Sequence, residues 1–112
     1  MTEVMKVKLL GVDCGELTRT DSGNIKFQYD RDYPLDSTPV SLAMPVGFIP
    51  YPKYRALPFI QGLMPDNQNA LRALGLRFGV DHLDPFELLK HTGSEVAGAL
   101  EFVSENSTER QP

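Results

Sequence analysis

The sequence predicts an α+β fold, with about three short helices packed on one face of a small antiparallel sheet. Two observations favour this class. Residues 4–29 alternate apolar and polar side chains as half-buried strands do, whereas residues 58–92 repeat apolar side chains at roughly the 3.6-residue spacing of helices. The 112 residues suggest one domain. We expect residues 1–103 to form it and residues 104–112, which are almost entirely polar, to form a flexible tail.

Three strands are predicted first. Residues 4–10 (VMKVKLL) alternate apolar side chains with lysines, which indicates a half-buried strand. The segment GVDCGE at 11–16 carries turn-forming residues, and ELTRT at 16–20 predicts a weaker strand. DSGN at 21–24 predicts a hairpin turn, because Gly and Asn accept positive φ. IKFQY at 25–29 predicts a third strand, so the chain opens with an antiparallel meander.

A proline-rich stretch separates the strands from the helices. Residues 30–56 are predicted to be mostly irregular, with a short strand in PVSLAMP at 39–45. The prolines at both ends of that segment favour an edge position, since proline cannot donate to a strand ladder.

Two helices are predicted on either side of a proline-rich corner. Pro58 suits the first turn of a short helix that carries Phe59, Ile60 and Leu63 into the core and stops before Pro65. Asp66 is the predicted cap of the second helix.

The second helix and the elements after it have clear boundaries in the sequence. The second helix presents an apolar stripe and ends at Gly79. Asp84 is predicted to cap a third helix, with Pro85 at its first position and Glu87 reaching back to the cap. Residues 97–103 (AGALEFV) predict a final strand.

Charge and cysteine content exclude several classes of protein. The net charge is −4 and the eleven Lys and Arg residues are scattered, which argues against direct nucleic-acid binding. A single cysteine, Cys14, allows no intrachain disulfide and favours a reducing, cytoplasmic compartment; we interpret it as a small residue beside a turn. Residues 37–52 are the longest uncharged run, but their four prolines exclude a membrane helix.

The sequence predicts no catalytic, metal or cofactor site. His82 and His91 are expected near two different helix ends, and nothing in the context of Cys14 pairs it with either. Asp30 and Asp32 lie in a predicted loop, where solvated turn residues are commoner than a general acid and base. No phosphate-binding glycine loop is present, so we expect a non-catalytic chain that acts by binding.

The most unusual stretch is LPFIQGLMPDNQ at 57–68. With Phe59, Ile60 and Leu63 assigned to the core, the remaining side chains lie on the other face or at the helix–helix corner. Short polar side chains around a proline form a rigid, protruding loop, and such loops are where recognition residues collect. The predicted partner-binding residues are therefore Gln61, Gly62, Met64, Pro65, Asp66, Asn67 and Gln68.

A series of segments resembles the N-terminal subdomain of HipA-type serine/threonine kinases. They are GELTRTDSGNIKFQYD, PVSLAMP, LPFIQGLMPDN, LGLRFGV and DPFELLKHTGSEVAGALEF, in that order, and the resemblance covers about residues 5–103. Asp66 and Asn67 replace the family's Glu and Gly at the corner, and Glu95 replaces its Asp near the last strand. These departures leave the fold prediction intact but put a one-to-one transfer of corner contacts in doubt.

The resemblance also implies a function. The long catalytic portion of the kinases does not follow the final strand, so the chain is similar to the HipS family of small antitoxins from three-component HipBST systems. That similarity implies binding and inhibition of a HipT-like serine/threonine kinase toxin whose targets are aminoacyl-tRNA synthetases. It also implies a complex with a HipB-like helix-turn-helix protein that supplies DNA binding.

Three alternatives remain open from the sequence. The chain could be the N-terminal structural subdomain of a full-length HipA-like kinase, and neighbouring reading frames would decide. It could be a small enzyme of unknown type, although no convergent site is visible. It could also be a DNA-binding regulator, which the net charge of −4 disfavours.

Overall fold

The computed structural model describes residues 2–92 and 99–104, which form a four-stranded antiparallel sheet and three helices. The elements in chain order are β1 (Glu3–Leu9), β2 (Val12–Arg19), β3 (Ile25–Tyr29), α1 (Lys53–Gln61), α2 (Gln68–Phe78), α3 (Pro85–Thr92) and β4 (Leu100–Ser104). The strand order across the sheet is β3-β2-β1-β4, and every neighbouring pair is antiparallel. The predicted α+β class, a meander joined by a C-terminal strand and packed with short helices, is confirmed.

A two-residue turn joins β1 to β2. Leu10 and Gly11 have φ values of 51° and 82°, and Leu9 pairs with Val12 across them. Positive φ at both central residues is the signature of a type I′ turn, which matches the twist of the flanking strands. Of the segment 11–16, which was predicted to supply turn residues, Gly11 lies in the turn and residues 12–16 belong to β2. Two residues suffice to reverse the chain, so β2 begins at Val12.

Cys14 lies in β2 at a bulge, and not beside a turn as predicted. The register shifts so that Val7 pairs with Gly15 and Lys8 with Asp13, which leaves Cys14 as the extra residue. Its side chain is fully buried, and its thiol donates to the carbonyl of Val7 at 3.4 Å.

The hairpin between β2 and β3 forms as predicted. Gly23 has a φ of 87°, and the backbone N–H of Thr20 donates to the carbonyl of Asn24 at 2.9 Å. The predicted period of two in β3 is confirmed, because alternate side chains are buried: Ile25, Phe27 and Tyr29.

The proline-rich loop contains no strand in its described residues, so the predicted edge strand at 39–45 is wrong. Within 39–45 an isolated bridge joins Ser41 to Met44 instead, and farther along the loop Tyr51 bridges to Phe27 of β3. The hydroxyl of Tyr29 donates to the carbonyl of Met44 at 2.5 Å and accepts from the N–H of Val40 at 3.0 Å. A buried tyrosine of β3 therefore satisfies two backbone groups of this segment, which a strand ladder would otherwise pair.

Helix α1 begins at Lys53, five residues before the predicted start at Pro58. The carbonyl of Pro52 accepts from the N–H groups of Arg55 and Ala56, both at 2.9 Å, and this sets the first turn. Pro58 lies inside the helix on its exposed side. A proline there removes one helical hydrogen bond, and burial of the opposite face keeps the helix intact.

Helix α2 has caps at both ends. The side-chain oxygen of Asn67 accepts from the N–H groups of Asn69 at 2.8 Å and Ala70 at 3.1 Å, so the cap is Asn67 and the prediction of Asp66 is wrong. The predicted end at Gly79 is confirmed by its left-handed φ of 68°. Within α2, all of which the structure describes, Gly75 is the one buried residue.

Helix α3 begins at the predicted cap. The carboxylate of Asp84 accepts from the N–H of Glu87 at 3.1 Å. The predicted reciprocal bond is not formed, because the carboxylate of Glu87 accepts from the guanidinium of Arg19 at 2.7 Å. The N–H of Asp84 donates instead to the carbonyl of Asp81 at 3.0 Å. A cation is a stronger partner for a carboxylate than a backbone amide is, which explains the difference.

An ion cluster holds α3 against the sheet. The Arg19 guanidinium, on β2, donates to Glu3 of β1 at 2.6 Å and to Asp84 at 3.0 Å, in addition to Glu87. Lys90 donates to both Glu3 and Glu87. We call these five residues the Arg19 cluster. It fixes the start of α3, and with it one wall of the site described below.

The core lies between the sheet and the helices. The predicted core residue Ile60 is fully buried, while Phe59 and Leu63 are half-buried and pack against the core. Ser104, predicted to begin the tail, pairs with Met5 at the end of β4. The rest of the predicted tail and the start of the predicted last strand lie outside the described residues. In the described part of the chain, no helix has the length and apolar character needed to cross a membrane.

Candidate functional site

Backbone hydrogen bonds fix the corner between α1 and α2, which we define as residues 61–68. The N–H of Gly62 donates to the carbonyl of Pro58 at 2.9 Å. The next two N–H groups donate back to Ile60 and Gln61, each at 3.1 Å, so the last turn of α1 tightens before the chain turns into α2. The corner is therefore a preorganised loop and not an open connection.

A surface groove of about 290 Å³ lies beside this corner, and we call it the corner groove. Its lining residues come from the corner and from the segment that leads into α3. They are Gln61, Met64, Pro65, Asp66, Gln68, Leu71, His82, Leu83 and Pro85. Five of the seven predicted partner-binding residues are among them.

The other two predicted residues have structural roles at the corner. Gly62 is the C-cap of α1, and Asn67 is the N-cap of α2. Met64 lines the groove but is also half-buried against the core, so it serves packing and surface together. Asp66 and Gln68 are exposed. The binding role of the whole set stays a prediction.

The far wall of the groove was missed by the sequence analysis. It is formed by Leu71, His82, Leu83 and Pro85. Leu83 is 72% exposed, and its turn is ordered by a hydrogen bond from its N–H to the carboxylate of Asp81 at 2.9 Å. In the sequence, the feature that could have indicated this wall is Leu83, an apolar residue between the acids Asp81 and Asp84.

Close packing of a glycine positions this far wall. A Cβ atom added to Gly75 would lie 2.8 Å from the carbonyl oxygen of Val80 and 2.9 Å from the Cβ of His82. Only glycine allows the segment after α2 to fold back so tightly, and this contact brings His82 to the groove.

The residues considered for chemistry lie in three different places. Cys14 is buried in the sheet, His82 lines the corner groove, and the ring of His91 stacks on Phe78 with centroids 5.6 Å apart. Across residues 2–92 and 99–104, no three His, Cys, Asp or Glu side chains gather in a way that could hold a metal ion.

The environment of Cys14 makes its thiol unreactive. Burial raises its pKa to about 12, and the negative charges of Asp30 and Asp13 act in the same direction. Partial burial also raises the pKa of the Asp30 carboxyl. A nucleophilic cysteine needs the opposite, a lowered pKa and an accessible thiolate.

The chain is thus a small α+β domain whose antiparallel sheet and helices hold a preorganised corner beside an open groove. The family model of the HipA N-terminal domain matches residues 5–103, so the chain belongs to this family. It is also 31% identical over 94 residues to a protein of Sinorhizobium fredii named "Putative kinase Y4mE". That match covers 82% of the present chain, which spans only 22% of the length of the relative.

Proposed function

We propose that this chain is an antitoxin of the HipBST type, which binds a HipT-like serine/threonine kinase and inhibits it through the corner groove. Membership of the HipA N-terminal domain family supports a kinase as the partner. The observation that carries the proposal is the grouping of five predicted corner residues in one groove, with the exposed Leu83 on its far wall.

The side chains of the groove fit a mixed apolar and cationic ligand surface. Met64, Leu71 and Leu83 supply apolar contacts, and methionine adapts to irregular shapes. The Asp66 carboxylate at the rim can pair with a Lys or Arg of the kinase. The complementary kinase surface is an apolar side chain with a cation beside it.

Inhibition by such a contact requires no reactive group from this chain. A kinase needs a mobile nucleotide loop and correctly placed lobes for phosphoryl transfer. A rigid partner that binds the inactive arrangement more tightly shifts the kinase population toward it. The hydrogen-bonded corner provides this rigidity.

The other partners follow from the same proposal. A HipB-like helix-turn-helix protein in the complex supplies the DNA contact, which agrees with the net charge of −4 on this chain. The complex is placed in the cytoplasm, where inhibition of the kinase spares the aminoacyl-tRNA synthetases that it would phosphorylate.

A second candidate function is the N-terminal structural subdomain of a full-length HipA-like kinase. The observation that favours it is that the chain corresponds to 22% of a longer relative with a kinase name. The two candidates differ genetically. A separate downstream kinase gene supports the antitoxin, and a kinase domain continuous with this reading frame supports the subdomain.

Co-expression with the adjacent HipT-like kinase tests the proposal. The wild-type chain should restore growth and co-purify with the kinase. The variant Asp66→Arg, Leu83→Asp changes two groove residues, of which Asp66 is exposed and Leu83 is 72% exposed, so it should fold but lose both effects. Substitutions at Met64 or Asn67 are poorer tests, since they would also disturb packing and the α2 cap.

The matched control is Leu76→Asp. Leu76 is 84% exposed and lies five positions beyond the groove residue Leu71, which turns it to a different face of α2. This variant should behave as wild type. If the wild-type chain neither restores growth nor co-purifies, or if the folded groove variant does both, the proposal is wrong.

A further inference from the structure

A second apolar surface lies at the other end of α1. Phe48, Ile49 and Tyr54 are 61%, 80% and 75% exposed and line one depression of about 350 Å³. We call these three residues the apolar patch. Scattered exposed apolar residues are ordinary, but a contiguous group of large ones marks an interaction surface.

The loop that carries Phe48 and Ile49 of the apolar patch is held in place. The backbone of Tyr51 exchanges two hydrogen bonds with that of Phe27 in β3, at 2.7 and 3.0 Å. The hydroxyl of Tyr51 donates to the carbonyl of Pro45 at 2.6 Å. Pro50 and Pro52 restrict the backbone on either side of this tyrosine. The patch is thus presented in a fixed shape, and little entropy is lost when it is covered.

The exposed face of α1 connects the apolar patch to the corner groove. Tyr54, Pro58 and Gln61 are all exposed and follow the i, i+4, i+7 spacing of one helical face. Tyr54 lines the depression at the patch and Gln61 lines the corner groove. Seven residues of helix rise about 10 Å, so one partner surface can span both.

The corner groove alone is also too small to form a stable protein–protein interface. Specific complexes bury roughly 800 Å² and 20–30 residues on each partner. Nine residues line the corner groove, and eight others line the depression at the apolar patch. A partner that contacted the groove alone would fall well short, whereas one that followed α1 to the patch would approach the required size.

We infer that the kinase partner covers the apolar patch as well as the corner groove, with α1 lying along the middle of the interface. This inference rests on the proposed function. Arg55 lines the same depression and places a cation at the patch, so the kinase surface there is apolar with a carboxylate at its rim. A second copy of this chain is a poorer occupant, since each copy carries a net charge of −4.

Titration of the purified kinase with the purified chain measures the dissociation constant for wild type and four variants. Ile49→Asp and Tyr54→Ala alter the apolar patch, Leu83→Asp alters the corner groove, and Leu76→Asp is the exposed control. Thermal midpoints confirm that each variant is folded. We expect each patch variant and the groove variant to weaken binding by about tenfold or more, and the control to be unchanged.

The outcomes separate the inference from the proposed function. Absence of binding by the wild-type chain overturns the proposed function. Binding that is weakened by Leu83→Asp, but not by Ile49→Asp or Tyr54→Ala, overturns the inference alone. Equal weakening by Leu76→Asp also overturns it, because the effect would not be specific to the patch. A dimer of the isolated chain that dissociates in Ile49→Asp would assign the patch to self-association instead.

Discussion

The substitution Arg19→Met tests whether the Arg19 cluster holds α3 against the sheet. Methionine keeps an unbranched apolar stem that can still pack on the ring of Phe86, over which the guanidinium carbon lies 4.5 Å from the centroid. It removes the cation that joins Glu3 on β1 to Asp84 and Glu87 at the start of α3. Three carboxylates then lose a cation, and Lys90 remains beside two of them, Glu3 and Glu87.

The expected loss follows from the burial of the cluster. Removing one member of a buried ion pair costs about 3–5 kcal/mol, because the other charge is left uncompensated. The Arg19 side chain is 16% exposed, but those of Glu3, Asp84 and Glu87 are 25%, 35% and 27% exposed, so water screens part of the loss. We expect the free energy of unfolding to fall by about 2–3 kcal/mol. The corresponding drop in melting temperature is roughly 10–20 °C for a domain of this size.

Urea and thermal unfolding measure this change directly. The control is Arg72→Met, at an exposed position of α2, which should change the free energy of unfolding by less than about 0.5 kcal/mol. A loss smaller than about 1 kcal/mol in Arg19→Met would show that the cluster is an ordinary surface network and that other contacts hold α3.

Four further predictions concern stability and reactivity. Leu10→Asn should raise the free energy of unfolding by about 1 kcal/mol in urea titrations, because asparagine accepts the positive φ of the β1–β2 turn more readily than leucine does; a lower midpoint would contradict this. Gly15→Ala should lower it by about 2–3 kcal/mol in the same assay, since the added Cβ would lie 2.5 Å from the carbonyl oxygen of Gln28, and wild-type stability would disprove the register. The Cys14 thiol, whose pKa burial raises to about 12, should react with a thiol reagent at mildly alkaline pH only after unfolding, so rapid labelling of the native chain would refute its burial. Partial burial tends to raise the pKa of Glu3, but hydrogen bonds from Lys90 and Arg19 lower it overall. Its contribution to stability is therefore present above its ordinary pKa of 4.5 and is lost as the pH falls through the lower folded value, so urea midpoints in acid should fall more steeply for wild type than for Arg19→Met.

Elements with strong local signals were predictable from the sequence. The alternation in β3, the glycine at the β2–β3 turn and the Asp84 cap of α3 each depend on residues a few positions apart. The start of α1 could not be predicted in this way, because either Pro52 or Pro58 could stand at a helix N-terminus. The burial of Ala56 against the core decides in favour of Pro52. Local propensity alone cannot express that choice.

The candidate site was predictable only on one side. The corner residues are contiguous in sequence, so their composition alone predicts a recognition loop at 61–68. The far wall, around Leu83, reaches them through the close approach of Gly75 to the segment after α2. The reason for a glycine in mid-helix is a contact with residues beyond the helix, which the pattern of α2 itself does not reveal.

Helix α2 packs less deeply against the core than α3 does, so local stability differs between parts of the molecule. This helix buries one residue, Gly75, whereas α3 buries five of its eight. Elements with few buried apolar contacts open locally at a lower free-energy cost than global unfolding, so the amides of α2 should exchange with solvent earlier than those of the sheet. A ligand that binds against α2 would slow the exchange of its amide hydrogens. The size of that decrease in exchange rate would measure how much the domain rigidifies on binding.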